Sequence, residues 1–70
     1  MAIEKITLAA ARKNRSMSQK ALAQKLGVSE ATVVNWEKGR SEPSVFQAYK
    51  IAEAVGTSLD DIIFLPKSYD

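Results

Sequence analysis

The chain holds only three glycines, and each stands where an apolar run of helical period stops. Gly27, Gly39 and Gly56 close runs that open on Ser18, Ser29 and Ser44. A serine at a helix start accepts from a free backbone N–H. A glycine just past the end takes the left-handed conformation that other residues avoid. This punctuation predicts helices over Gln19–Leu26, 30–38 and Val45–Val55. Thr7 caps an earlier helix over Leu8–Asn14, with Leu8 and Ala11 on one face. Arg12, Lys13 and Arg15 lie near the negative end of its dipole. Ser44 with Gln47 reads as a capping box, and so does Ser58 with Asp61, which predicts a last short helix over 59–64 that Pro66 ends. Phe46, Tyr49, Ile51, Ala52 and Val55 supply the apolar side of the fourth helix. Ile3 and Ile6 either extend the first helix or form a short extended segment against Phe64 and Leu65. The fold class expected is all-α: a compact five-helix domain over 1–65, followed by a short C-terminal tail at 66–70.

Composition removes most chemistry. The 70 residues include no Cys and no His. Zinc sites of the usual ligands and Ser-His or Cys-His nucleophile pairs are therefore excluded. Asp60 and Asp61 occupy capping positions without a partner set, and no Gly-rich loop cradles a phosphate. No enzyme activity, catalytic residue, metal or cofactor is expected. No apolar run approaches the ~20 residues of a membrane helix, and the N-terminus lacks the basic-then-apolar order of a signal peptide. A cytoplasmic domain with no membrane partner and no room for a small-molecule sensing domain is the expectation.

Charge is distributed unevenly. Residues 12–40 carry seven cations against two acids, and residues 41–70 carry two cations against five acids. A clustered positive surface suits a polyanion, although a solvated surface with chance clustering gives the same count. The first two predicted helices after Ser18 are separated only by Gly27-Val28-Ser29, the spacing of a helix-turn-helix. In the second of them Val33, Trp36 and Glu37 share one face. Glu30, Ala31, Val34, Asn35 and Lys38 share the other. An outward Val34 beside Ala31 can meet thymine methyl groups, and the alternative is a scattered exposed valine. The Asn35 amide matches the donor and acceptor of adenine, or is simply a surface asparagine. Glu30 either accepts from cytosine or stabilises the helix N-terminus. Trp36 could stack on a base, but its phase points to the core. Lys38, Arg40 and Ser41 lead from this helix into the loop that follows, and two cations with a hydroxyl are phosphate candidates. Lys13, Arg15 and Lys20 serve contact or solubility equally well.

The stretch from Leu8 to Leu65 resembles the Cro and phage-repressor (Xre-type) helix-turn-helix family. The resemblance is carried by Leu8-x-x-x-Arg12, then Met17-Ser18-Gln19, Leu22-Ala23 and Leu26-Gly27-Val28-Ser29. It continues through Thr32-Val33, Trp36-Glu37, Gly39-Arg40, Pro43-Ser44, Ile51-Ala52, Gly56 and Ser58-Leu59-Asp60-Asp61. Small phage Cro-like regulators are the nearest match. The resemblance implies a lambda-repressor-like fold and sequence-specific binding of double-stranded DNA. It implies a homodimer on a palindromic operator, with a repressor's role in transcription regulation. It assigns the 30–38 helix to the major groove, with Glu30, Ala31, Val34 and Asn35 reading bases. Ser18 and Gln19 would meet a phosphate at the start of the preceding helix, where free N–H groups and dipole agree. Gln19 could also brace a side chain of the recognition helix. It further implies an ion pair between Arg12 and Glu37 that orients the recognition helix. The apolar surplus at Ile63, Phe64 and Leu65 is the expected dimer patch. The rival is a protein-interaction module, antitoxin-like or bridging, on the same scaffold. RNA binding is disfavoured because Trp36, Phe46 and Tyr49 are all expected to face inward.

Overall fold

The computed structural model describes residues 5–64. The predicted tail 66–70, together with Ile3 and Leu65, lies outside them. The order is β1 (Ile6–Thr7), α1 (Leu8–Asn14), α2 (Gln19–Leu26), α3 (Glu30–Glu37) and α4 (Val45–Val55), then a 3-10 turn over Leu59–Asp61 and β2 (Ile62–Ile63). The four helix starts are capped as their sequence predicts. Thr7, Ser18 and Ser29 accept from the N–H of Ala10, Ala21 and Thr32 at 3.1, 2.9 and 3.1 Å. Ser44 accepts from Gln47 N–H at 3.1 Å, and Gln47 Oε1 accepts from Ser44 N–H at 2.9 Å, closing the box. Helix α3 stops at Glu37, one residue early, with Lys38 as its cap.

Gly56 ends α4 at φ 67°. A Cβ there would overlap the guanidinium of Arg15, whose flexible end can move aside. The backbone conformation therefore sets most of the cost. Gly56→Ala is expected to lose about 1–2 kcal/mol of stability, the penalty of left-handed backbone for an L-residue. An unchanged urea midpoint would show that this cap tolerates a side chain.

The core is one cluster. It draws Leu8 and Ala11 from α1, Leu22 and Ala23 from α2, Val33 and Trp36 from α3, Ile51, Ala54 and Val55 from α4, and Ile62 from β2. Helix α2 packs against both α3 and α4. Ile6, Met17, Leu26, Val28, Ala52 and Phe64 lean on the cluster from its edges.

Two expectations need correction. The fold is not all-α with five helices: the described residues hold four α-helices, and 59–64 is not a fifth. Ser58 makes no side-chain cap bond, and one 3-10 turn leads directly into β2. Ile6 pairs with Ile62 and Thr7 with Ile63 in a parallel ribbon. Consecutive β-branched isoleucines favour the extended backbone, and the ladder satisfies their peptide groups better than a lone short turn. The extended alternative for Ile6 is the one found, with Ile62 as its partner in the ladder. The second correction concerns α4. Phe46 and Tyr49 do not face inward: they are 71% and 61% exposed, as is Val45 at 74%. The helix is apolar on two sides, and Ile51, Ala54 and Val55, at i, i+3 and i+4, are the side that is buried.

Candidate nucleic-acid interface

Helices α2 and α3 meet across Gly27-Val28-Ser29. Gly27 takes φ 75°, and its N–H and that of Val28 close the end of α2 on Gln24 and Ala23 carbonyls. Ser29 then starts α3 at once, with Val28 half-buried between the two. The turn is held by backbone geometry at one side and a cap at the other, which fixes how α3 projects from α2.

On α3, Val33 is fully buried and Trp36 is 4% exposed. Trp36 is thus a core residue with no face free for a base. Glu30 and Ala31 are exposed at the first turn, and Val34 and Asn35 are half-buried one turn further on. These four therefore lie along the side of α3 away from the buried pair. Lys38 and Arg40 are exposed just beyond the helix, Ser41 is half-buried and Ser18 is exposed at the start of α2. Gly39, between the two cations, is buried at φ 75°. It turns the chain sharply so that Lys38 and Arg40 both remain in solvent.

One buried polar knot ties this face to the rest of the molecule. Arg12 Nε donates to Glu37 Oε2 at 2.7 Å, and Nη2 donates to Oε1 at 3.2 Å. The two side chains are only 9% and 7% exposed. The remaining Arg12 donor, Nη1, reaches the Met17 carbonyl at 2.8 Å. Gln19 Nε2 donates to Glu37 Oε1 at 2.9 Å. The knot links α1, the loop before α2, the first residue of α2 and the last of α3. A forked guanidinium–carboxylate pair resists rotation as well as separation. No buried side-chain polar atom among the described residues lacks a partner.

The Met17 carbonyl is the member that sequence reading missed. A backbone acceptor has no side-chain signature, and only the forked geometry of Arg12 points to it. Of the expected dimer patch, Ile63 is 40% exposed, whereas Phe64 packs partly on the core. Leu65 lies outside the described residues. Among the described residues no group of acidic side chains could hold a metal ion, and no helix is long and apolar enough to cross a membrane.

This arrangement is that of a helix-turn-helix, and residues 8–62 match the family model for the helix-turn-helix. The chain belongs to that family. It is 45% identical over 47 residues to an uncharacterised HTH-type transcriptional regulator of Methanocaldococcus jannaschii, covering 67% of this chain and 71% of that one. A second such regulator, from Methanothermobacter thermautotrophicus, is 40% identical over 55 residues, 77% of this chain and 80% of its own. A third, from Archaeoglobus fulgidus, is 43% identical over 47 residues, 67% and 66% of the respective lengths.

Proposed function

We propose that this helix-turn-helix protein is a DNA-binding transcriptional regulator that lays α3 in the major groove. The observation that carries this reading is the outer side of α3, flanked by the exposed Lys38 and Arg40 and anchored from behind by the Arg12–Glu37–Gln19 knot. Glu30, Ala31, Val34 and Asn35 read base edges. Ser18, Gln19, Lys38, Arg40 and Ser41 hold the phosphates on either side. The knot sets the angle of α3, and Gln19 serves both it and the backbone contact.

Two subunits on a palindromic operator would place their α3 helices one DNA turn, ~34 Å, apart. The apolar residues left exposed at Ile63 on β2 and at Val45 and Tyr49 on α4 offer surface for the second copy. Repression of the Cro type, in a phage or prophage setting, follows if the operator overlaps a promoter. The resemblance to phage Cro-like regulators supports this finer form, while the named relatives are archaeal regulators.

Enrichment of bound duplexes from a random DNA pool tests the reading. A palindromic motif with half-sites about one turn apart is expected. Salt-sensitive binding without a motif would remove base reading and leave the interaction-module alternative. On the enriched site, Asn35→Ala should relax preference at one base position, at a cost of ~1–3 kcal/mol. Unchanged preference everywhere would exclude its base-reading role. Lys38→Ala should weaken specific and random DNA alike and reduce the salt slope by ~1. A slope equal to that of the parent protein would take Lys38 out of the phosphate set.

A further inference from the structure

Phe46 stands in the first turn of α4 with most of its surface in water. Its ring borders a depression of about 250 Å³ whose other walls include Leu26 and Val28, both partly buried, and the edge of Trp36. The floor is thus apolar, with room for one bulky side chain. Lys50 lies on the rim with its Nζ 5.6 Å from the centre of the Phe46 ring. A second depression adjoins the first, sharing Leu26 and Lys50, and it adds Lys25, Ala54 and Glu53. Two lysines against one glutamate border the pair. The cation–π contact holds one ammonium beside the apolar floor instead of leaving it free in solvent.

We propose that this groove, formed by the end of α2, the α2–α3 turn and the start of α4, is a docking site for an acidic protein segment. The segment inserts one bulky apolar side chain beside Phe46 and sets carboxylates against Lys50 and Lys25. Charge complementarity selects the partner's sign, and the exposed aromatic supplies the anchor around which such interfaces concentrate their energy. A nucleic-acid phosphate would satisfy the lysines but leave Phe46, Leu26 and Val28 uncovered, so the apolar floor favours protein. None of the residues proposed to contact DNA lines either depression. The groove therefore stays open when α3 is in the major groove, and a partner held there is brought to the promoter.

Selection from a random-peptide display library on the immobilised full chain tests this. Enriched peptides should be acidic, with an aromatic or branched aliphatic residue between the acids. An enriched peptide, synthesised alone, should shift the amide resonances of Leu26, Gly27, Val28 and Lys50. Phe46→Ser should weaken it at least about tenfold, as loss of an aromatic anchor does. Lys50→Glu should weaken it about tenfold by charge reversal. Both positions are exposed, so melting temperature and DNA binding should stay at parental values, which separates this test from the DNA reading. Three results would overturn the proposal: no enrichment, enriched peptides that bind both variants as well as the parent, or shifts confined to α3. A Phe46→Ser chain that changes from dimer to monomer would assign the groove to a second copy and overturn it equally.

Discussion

Arg12→Met is expected to destabilise the fold by about 3–5 kcal/mol, the cost of leaving one partner of a buried ion pair behind. Glu37, whose side chain is 7% exposed beside Arg12, would keep only the Gln19 amide as a donor within the knot. Total stabilities run to about 5–15 kcal/mol, so a domain of this size would stand close to unfolding. The double variant Arg12→Met, Glu37→Leu should recover much of that loss, since removing both charges removes the desolvation penalty. It should not recover DNA affinity, because an apolar pair packs without fixing the angle of α3. Urea unfolding of the singles and the double, beside duplex binding of the double, separates the two effects. If Arg12→Met unfolds like the parent, the pair behaves as a surface contact of ~0–1 kcal/mol and its orienting role is lost.

The second large effect is Trp36→Ala, expected to cost about 3–5 kcal/mol as a deleted core aromatic. Trp36 is the only tryptophan and belongs to the same buried core cluster as Leu22, Val33 and Ile51. Circular dichroism must follow this unfolding, because the variant carries no tryptophan to report it. The same substitution decides between core and base stacking. A base-stacking tryptophan would cost DNA affinity and leave stability unchanged, and that result would contradict its 4% exposure.

Helix boundaries were legible because their signals are local. A cap serine and a terminal glycine act within three or four residues, so Ser18, Gly27, Ser29 and Ser44 could be read in place. The ends of the domain were not legible. Ile6 and Ile62 pair across nearly the whole chain, and neither shows its partner in its neighbours. Ser58 and Asp61 mimic a capping box, yet the ribbon competes for the residues that follow. Helix α4 misled for another reason. Apolar residues occupy both of its sides, and only packing on α2 decides that Ile51 goes in while Phe46 and Tyr49 stay out. On α3 the buried pair Val33 and Trp36 agrees with the phase read from spacing. The partners Arg12 and Glu37, 25 positions apart, came from family resemblance and not from any local pattern.

The parallel ribbon has a mechanical consequence. Parallel strands run in one direction, so chain preceding Ile6 and chain following Ile63 leave the ribbon at opposite ends. Tension applied between those two points loads the rungs of the ladder together, in shear, rather than parting them one after another. The contact that closes the domain is thus also its clasp against pulling. Peeling β2 away exposes the buried Ile62 before any helix has to unwind.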